Sequence, residues 1–295
     1  MDLEATFLSD TVCSFSGLRI LVVGDVCVDR FLYARRSQRA NPESDGGILD
    51  VYDTKESLGM AGLVATCVHS LGAIWLFDFP DGDWPEKTRV ICEGETLQRI
   101  DYDARLHPIR LLTAKCDAVL VADYGKGAVD RMTITDCIEI SQANGTCPVI
   151  VDPARGASWE KYSGVTAIKC NDQEFREAFP YPPDDFLIHA SVVIRTDRSG
   201  CDVYDRCCGH NPMLLVTRTI ESANPIGAGD QFLAALGLAK AAGASWLDAC
   251  RIANVAAWVK VQKPRTEPCT MEELIDALEA SRNETEIGTR TPQHC

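Results

Sequence analysis

No stretch of this sequence reaches the run of about 18 apolar residues that a membrane-crossing helix needs. The opening Met1-Asp2-Leu3-Glu4 lacks the basic start of a signal peptide, so a cytoplasmic protein is expected. Basic residues are in the minority, 29 Lys and Arg against 43 Asp and Glu. The resulting net charge of −14 argues against a nucleic-acid or anionic-membrane surface. It leaves an anionic small ligand open, because one helix terminus can overrule the global field. Histidines number only five and are scattered, and no Cys-x-x-Cys pair occurs among the 14 cysteines, so no metal cluster is expected. Cys27, Cys67 and Cys250 sit in apolar runs and read as small buried hydrophobes.

Several phosphate- and nucleotide-binding signatures are missing as well. Gly125-Lys126 has no glycine five positions before it and is followed by Gly rather than Ser or Thr, so it is not a Walker A loop. The protein-kinase set is absent. Gly227-Ala228-Gly229 lacks the third glycine of a dinucleotide fingerprint, with Phe232 in that place. No internal repeat or low-complexity block interrupts the chain.

What is present is an alternation. Residues 19–25, 74–79, 117–123, 148–152, 166–170 and 190–195 are short apolar runs that read as buried strands. Helices are expected at 59–71, 129–143, 228–242 and 245–262, with a short one from Asp172. This order implies an α/β fold with a mainly parallel sheet covered on both faces. The polar, glycine-punctuated stretch 34–56 and the strand pair within 86–102 read as a small β lid. Residues 1–17 read as a loose lead-in and 282–295 as a flexible tail, leaving 18–281 as the domain.

The turn Asn224-Pro225-Ile226-Gly227-Ala228-Gly229-Asp230 opens an Ala- and Leu-rich helix. A helix start leaves backbone N–H groups unpaired, its dipole favours negative charge, and the glycines permit close approach. Asp230 adds a carboxylate beside these donors. Anion donors next to a base are the parts of a phosphoryl-transfer site. A glycine turn with an Asp that merely favours a helix start fits these residues equally well.

The ordered set of motifs separates these readings. Gly227-Ala228-Gly229-Asp230 resembles the signature of the ribokinase-like (PfkB) sugar kinases. The block from Leu21 to Arg30, with Arg39-Ala40-Asn41-Pro42-Glu43, is similar to the D-glycero-β-D-manno-heptose 7-phosphate kinases, the kinase part of ADP-heptose synthases. Leu97–Asp101, Ala122–Gly127, Val151-Asp152-Pro153, Asn171-x-x-Glu174, Ile252–Ala257 and Lys263-x-x-Thr266 follow in the expected order. The resemblance covers roughly residues 18–280.

The resemblance implies an ATP-dependent kinase with Mg²⁺, a phosphotransferase acting on a hydroxyl of a sugar or sugar phosphate. The acceptor it implies is a heptose 7-phosphate, at the anomeric position. Asp230 would be the base, and the N–H groups of Gly227, Ala228 and Gly229 the anion hole. Asn171 and Glu174 would organise Mg²⁺ and the ATP phosphates, Glu174 meeting the metal through water. Thr196, Gly200 and Asn254 would line the nucleotide pocket. Asp29 would hold sugar hydroxyls with Asp25 nearby, and Lys87, Arg89 and Arg39 would meet the sugar's phosphate. Asn171 and Glu174 read otherwise as a helix cap, and Lys87 and Arg89 as solvated strand residues. A homodimer through the lid stays open.

This sequence also departs from the pattern. In Leu58-Gly59-Met60-Ala61-Gly62-Leu63, Met60 stands at a family glycine and Leu63 at a sugar-binding amide. Asn224-Pro225-Ile226 replaces Asp-x-Thr, whose aspartate helps build a monovalent-cation site, so K⁺ activation is not expected. The spans 73–87 and 174–192 are short, and a helix is missing from the second. These departures support an alternative, a relative that binds nucleotide or sugar without turnover. No nucleotidyltransferase half follows residue 295, so a bifunctional ADP-heptose synthase is not expected.

Overall fold

The computed structural model describes residues 3–39, 41–43, 47–179, 186–208, 212–216 and 224–280. An eight-stranded sheet is built from β1 (Arg19–Gly24), β4 (Ile74–Phe77), β7 (Ala118–Ala122), β8 (Val149–Asp152), β9 (Val165–Asn171), β10 (Ala190–Asp197), β11 (Gly200–Asp205) and β12 (Met213–Val216). Its order is β12-β11-β10-β9-β8-β7-β1-β4. From β4 to β10 every neighbour pair is parallel, and β11 and β12 append antiparallel. A second sheet, ordered β3-β2-β5-β6, forms the lid from β2 (Val26–Arg36), β3 (Leu49–Met60), β5 (Glu86–Cys92) and β6 (Glu95–Tyr102).

The alternation of side chains along each central strand accounts for the layers. Ile20 and Val22 of β1, with Leu120 of β7, face one core, while Leu21, Val23, Val119 and Val121 face the other. The first core is covered by α2 (Ala61–Ser70), α5 (Ala228–Ala241), α6 (Trp246–Val261) and α7 (Met271–Ala280). The second is covered by α3 (Arg131–Ala143) and α4 (Asp172–Ala178). Gly237 of α5 lies flat on β7, where an added Cβ would sit 2.4 Å from Leu120 Cδ2.

Two expectations need correction. Residues 1–17 are not a loose lead-in: Leu3–Cys13 form α1, and Leu8, Val12 and Phe15 are buried in the first core. The lid begins at Val26 rather than at 34, because β2 follows β1 after the single residue Asp25. The hairpin of β11 and β12 and helix α7 were not anticipated; the hairpin's strands are short, and β11 carries Asp202 and Asp205. In the span short of a helix, Phe186–Ile188 make one 3-10 turn, and residues 180–185 lie outside the described residues. The expected tail at 282–295 lies outside them too.

Candidate active site

The carboxyl ends of the parallel strands set the site, as open α/β sheets require. Gly24, Ala122 and Asp152 are register neighbours across β1, β7 and β8, and Asn171 pairs with Thr196 across β9 and β10. Above this edge the chain enters the lid at Asp25 and leaves it at Met60. Gly24 has φ +151 and approaches β7 so closely that a Cβ would lie 2.1 Å from Ala122 O. Met60, at the family's glycine position, holds φ 58 and ψ −131, a backbone region that disfavours side chains. Its side chain is buried, which keeps it there.

Asp230 stands in the first turn of α5 and is 7% exposed. Burial, with the charge of Asp152 adding to it, raises its pKa from 3.8 to about 6. Tyr124 Oη donates to Asp230 Oδ1 at 2.7 Å, and Lys169 and Lys87 lie close enough to favour the carboxylate, all opposing that rise. Gly227, the N-cap, has φ +80, which only glycine adopts without strain. Gly229 is pressed by Lys169, whose Nζ would be 3.0 Å from an added Cβ. Lys169 is itself held by Asp152 at 2.8 Å. The turn thus offers backbone donors at a helix start, a fixed ammonium and a carboxylate whose pKa lies near the working range.

The lid supplies the opposite wall. Lys87, Asp29 and Asp230 all act on the buried Cys27 thiol, whose pKa burial pushes up to about 11. Asp29 Oδ1 accepts from Arg89 Nη1 at 2.6 Å, and both side chains are buried. A Cβ on Gly59 would meet Asp29 Oδ2 at 2.3 Å, so that glycine leaves room for the carboxylate. Lys87 lies over the Tyr124 ring, 5.5 Å from its centroid.

Other candidates are placed differently from expectation. Asp25 is fully buried, and its carboxylate accepts from the backbone N–H groups of Tyr124, Lys126 and Ala128 at 2.7, 3.0 and 2.9 Å. That carboxylate is spent on shaping the 124–128 loop, not on a sugar hydroxyl. Arg89 is occupied by Asp29, whereas Lys87 lies over the Tyr124 ring and acts on Asp230. Arg39 is exposed and pairs with Asp50 at the far end of the β2–β3 hairpin, on the order of 20 Å along β2 from Asp29.

Asn171 and Glu174 form a capping box: Asn171 Oδ1 accepts from Glu174 N and Glu174 Oε2 from Asn171 N, both at 2.8 Å. The helix-cap reading of this pair is therefore realised. Burial, with the charge of Asp152 adding to it, nonetheless raises the Glu174 pKa, against the opposing pull of Lys169. Thr196 and Gly200 flank the tight β10–β11 turn, with Thr196 Oγ1 donating to Cys170 O at 3.1 Å. Asn254 on α6 faces the same hairpin, its buried Nδ2 meeting Cys201 Sγ at 3.5 Å. Leu63, where an amide was expected, packs on the turn, with Cδ2 2.9 Å from a Cβ built on Gly227.

Sequence reasoning assigned no role to Tyr124, Asp152, Lys169 or Lys260. A signal existed for the two lysines: each interrupts an apolar run, Ala167-Ile168-Lys169-Cys170 and Trp258-Val259-Lys260-Val261. A charge inside such a run is expensive unless it has a task.

The fold and the turn before Asp230 define a ribokinase-like small-molecule kinase. Residues 101–273 match the pfkB family carbohydrate kinases. The bifunctional protein HldE of Caulobacter sp. (strain K31) is 32% identical over 89% of this chain and 63% of its own length. The chain covers 63% and 64% of the first two such relatives. A candidate ribokinase of Agrobacterium tumefaciens superposes with TM-score 0.69 at 20% identity, over 91% of this chain and 100% of that one. Arabidopsis thaliana ribokinase, solved with ribose and ATP, gives 0.63 at 13% identity, over 90% and 99%. The chain belongs to the pfkB family of carbohydrate kinases. Among the described residues no helix is long and apolar enough to cross a membrane.

Proposed function

We propose that this kinase uses ATP with Mg²⁺ to phosphorylate a sugar phosphate, with a heptose 7-phosphate as acceptor at its anomeric hydroxyl. The observation that carries the reading is Asp230, a buried carboxylate with pKa near 6 at the mouth of the Gly227–Gly229 turn. Asp230 takes the proton of the acceptor hydroxyl, and the turn's N–H groups with Lys169 hold the charge of the transferring phosphoryl group. Asp29, braced by Arg89, accepts from sugar hydroxyls, and Lys87 meets the sugar's own phosphate. Thr196, Gly200 and Asn254 line the space for the nucleotide beyond β9 and β10.

Among the described residues no group of three His, Cys, Asp or Glu side chains forms a metal cage. A hydrated ion carried by the nucleotide phosphates needs none, and the strained charge of Glu174 beside Asp152 suits such an ion. When bound, Mg²⁺ would neutralise phosphate charge, with Glu174 holding it through water. The HldE resemblance supports the heptose, and the exposed Val51, Tyr52, Leu97, Ile100 and Tyr102 of the lid support a homodimer through it. A cytoplasmic location fits this chemistry.

The test is ADP release on a panel of heptose 7-phosphates and unphosphorylated sugars with Mg²⁺-ATP. Turnover by wild type and its loss in Asp230→Asn are expected. Equal background rates for both proteins on every sugar would defeat the reading. The burial of Leu63 against Gly227 favours one second reading, a protein that binds nucleotide without turnover. Its signature is a nucleotide-induced rise in melting temperature with no ADP released.

A further inference from the structure

Lys260 lies in the last turn of α6 and is 0% exposed. It shares a stripe with the buried Ala253 and Ala256, so its side chain runs inward along the apolar face. A lysine at a helix C-terminus gains from the dipole, but it can do so from solvent. This one is driven into the core, and burial lowers its pKa. Its Nζ donates to a carbonyl, Arg265 O at 2.9 Å, and not to a carboxylate. Its Cε would be 3.3 Å from a Cβ on Gly227.

The carbonyl it holds belongs to a strained residue: Arg265 has φ 52, in the left-handed region. Asn224 Nδ2 donates to the same oxygen at 2.6 Å and to Lys263 O at 3.1 Å. Asn224 Oδ1 in turn accepts from Ile226 N at 3.3 Å, one residue before Gly227. A closed path therefore runs from the ammonium through Arg265 O and Asn224 to the turn, and the ammonium's own stem touches that turn from behind.

We propose that Lys260 is a positioning residue of the phosphoryl-binding turn. Its buried ammonium pins the loop beneath Gly227 and adds fixed positive charge behind the turn's N–H groups. A buried charge without a carboxylate partner costs stability, and replacing one with an apolar side chain of similar volume is commonly neutral or stabilising. The function it serves is preorganised charge at the site where a phosphoryl group develops negative charge. This deepens the kinase reading and rests on its placing of the phosphoryl group at Gly227–Gly229.

The test compares full-length wild type, Lys260→Met and Lys260→Ala. Each is assayed for melting temperature, kcat and KM on whichever sugar wild type phosphorylates, and affinity for a non-hydrolysable ATP analogue against ADP. Lys260→Met should melt at or above wild type. Its kcat should fall about tenfold or more, with KM for the sugar moving far less, and its analogue-to-ADP affinity ratio should fall by a similar factor. Ammonium ions should restore part of the loss in Lys260→Ala, which leaves a cavity of suitable size, and not in Lys260→Met. A wild-type kcat and affinity ratio in Lys260→Met overturns the inference, as does a loss that only tracks a lower melting temperature. A wild type that turns over no sugar sinks the kinase reading, while the affinity ratio still decides this one. A wild type that binds neither nucleotide overturns both.

Discussion

Tyr124 Oη donates to Asp230 Oδ1 at 2.7 Å, and the phenol reaches that oxygen from a loop whose shape is set by Asp25. The bond stabilises the charged form of Asp230, while the carboxylate and burial together raise the phenol's own pKa. The tyrosine hydroxyl thus occupies one oxygen of the candidate base from the side of the lid. Tyr124→Phe removes the bond and leaves the ring. The Asp230 pKa should then rise further above 6, and the acid limb of kcat/KM should move to higher pH. A pH profile settles it: activity lost more at pH 6 than at pH 8 is the expected pattern, and a uniform loss is not.

The raised pKa of Asp230 makes a paired prediction about stability. Its folded value of about 6 lies above the ordinary 3.8, so the folded state binds the proton more tightly than the unfolded chain. Ionisation of Asp230 therefore costs stability increasingly as pH rises from about 4 through 6, to a ceiling of about 3 kcal/mol. Asp230→Asn should melt several degrees higher than wild type at pH 7.5 and equal to it near pH 4. The same variant should lose turnover at both.

Glu174 carries two readings that one pair of variants separates. Glutamine keeps an oxygen that can accept from Asn171 N and so preserves the capping box, while it removes the charge. Glu174→Gln should keep wild-type stability but require more Mg²⁺ for half-maximal rate. Glu174→Ala should lose both, with a stability cost of about 1 kcal/mol by urea unfolding. An unchanged Mg²⁺ requirement in both variants would leave the residue a helix cap alone.

The Arg89–Asp29 pair is buried on both sides, so breaking it strands a charge. Arg89→Met should destabilise the protein by about 3–5 kcal/mol. Because Asp29 then loses its brace, the KM for the sugar should rise as well. Asp29→Asn, which keeps a neutral partner for Arg89, should cost less stability and raise KM comparably. Urea titrations with steady-state kinetics on the two variants check both.

Legibility in the sequence followed the range of the physics involved. The strands β1, β7, β8 and β9 were readable because a strand buried on both faces must be apolar throughout, a local property. The Gly227–Asp230 turn was readable because a positive-φ glycine and a helix start stand side by side in the chain, a local pattern. α1 was missed because its apolar residues gain their burial from helices distant in the chain, α7 and α6.

The sequence alone determined the class of the molecule: an alternating α/β chain with a glycine turn and a lid. Those features are periodicities and short motifs, and each is complete within a few residues. Only the tertiary structure decided which charges act together. It withdrew Asp25 into loop amides and carried Arg39 to the far end of the lid. It tied Arg89 to Asp29, and brought Tyr124 and Lys169 onto the turn and Lys260 behind it. Those assignments depend on distances between residues far apart in the chain, and an electrostatic interaction is set by distance and burial, neither of which a sequence contains.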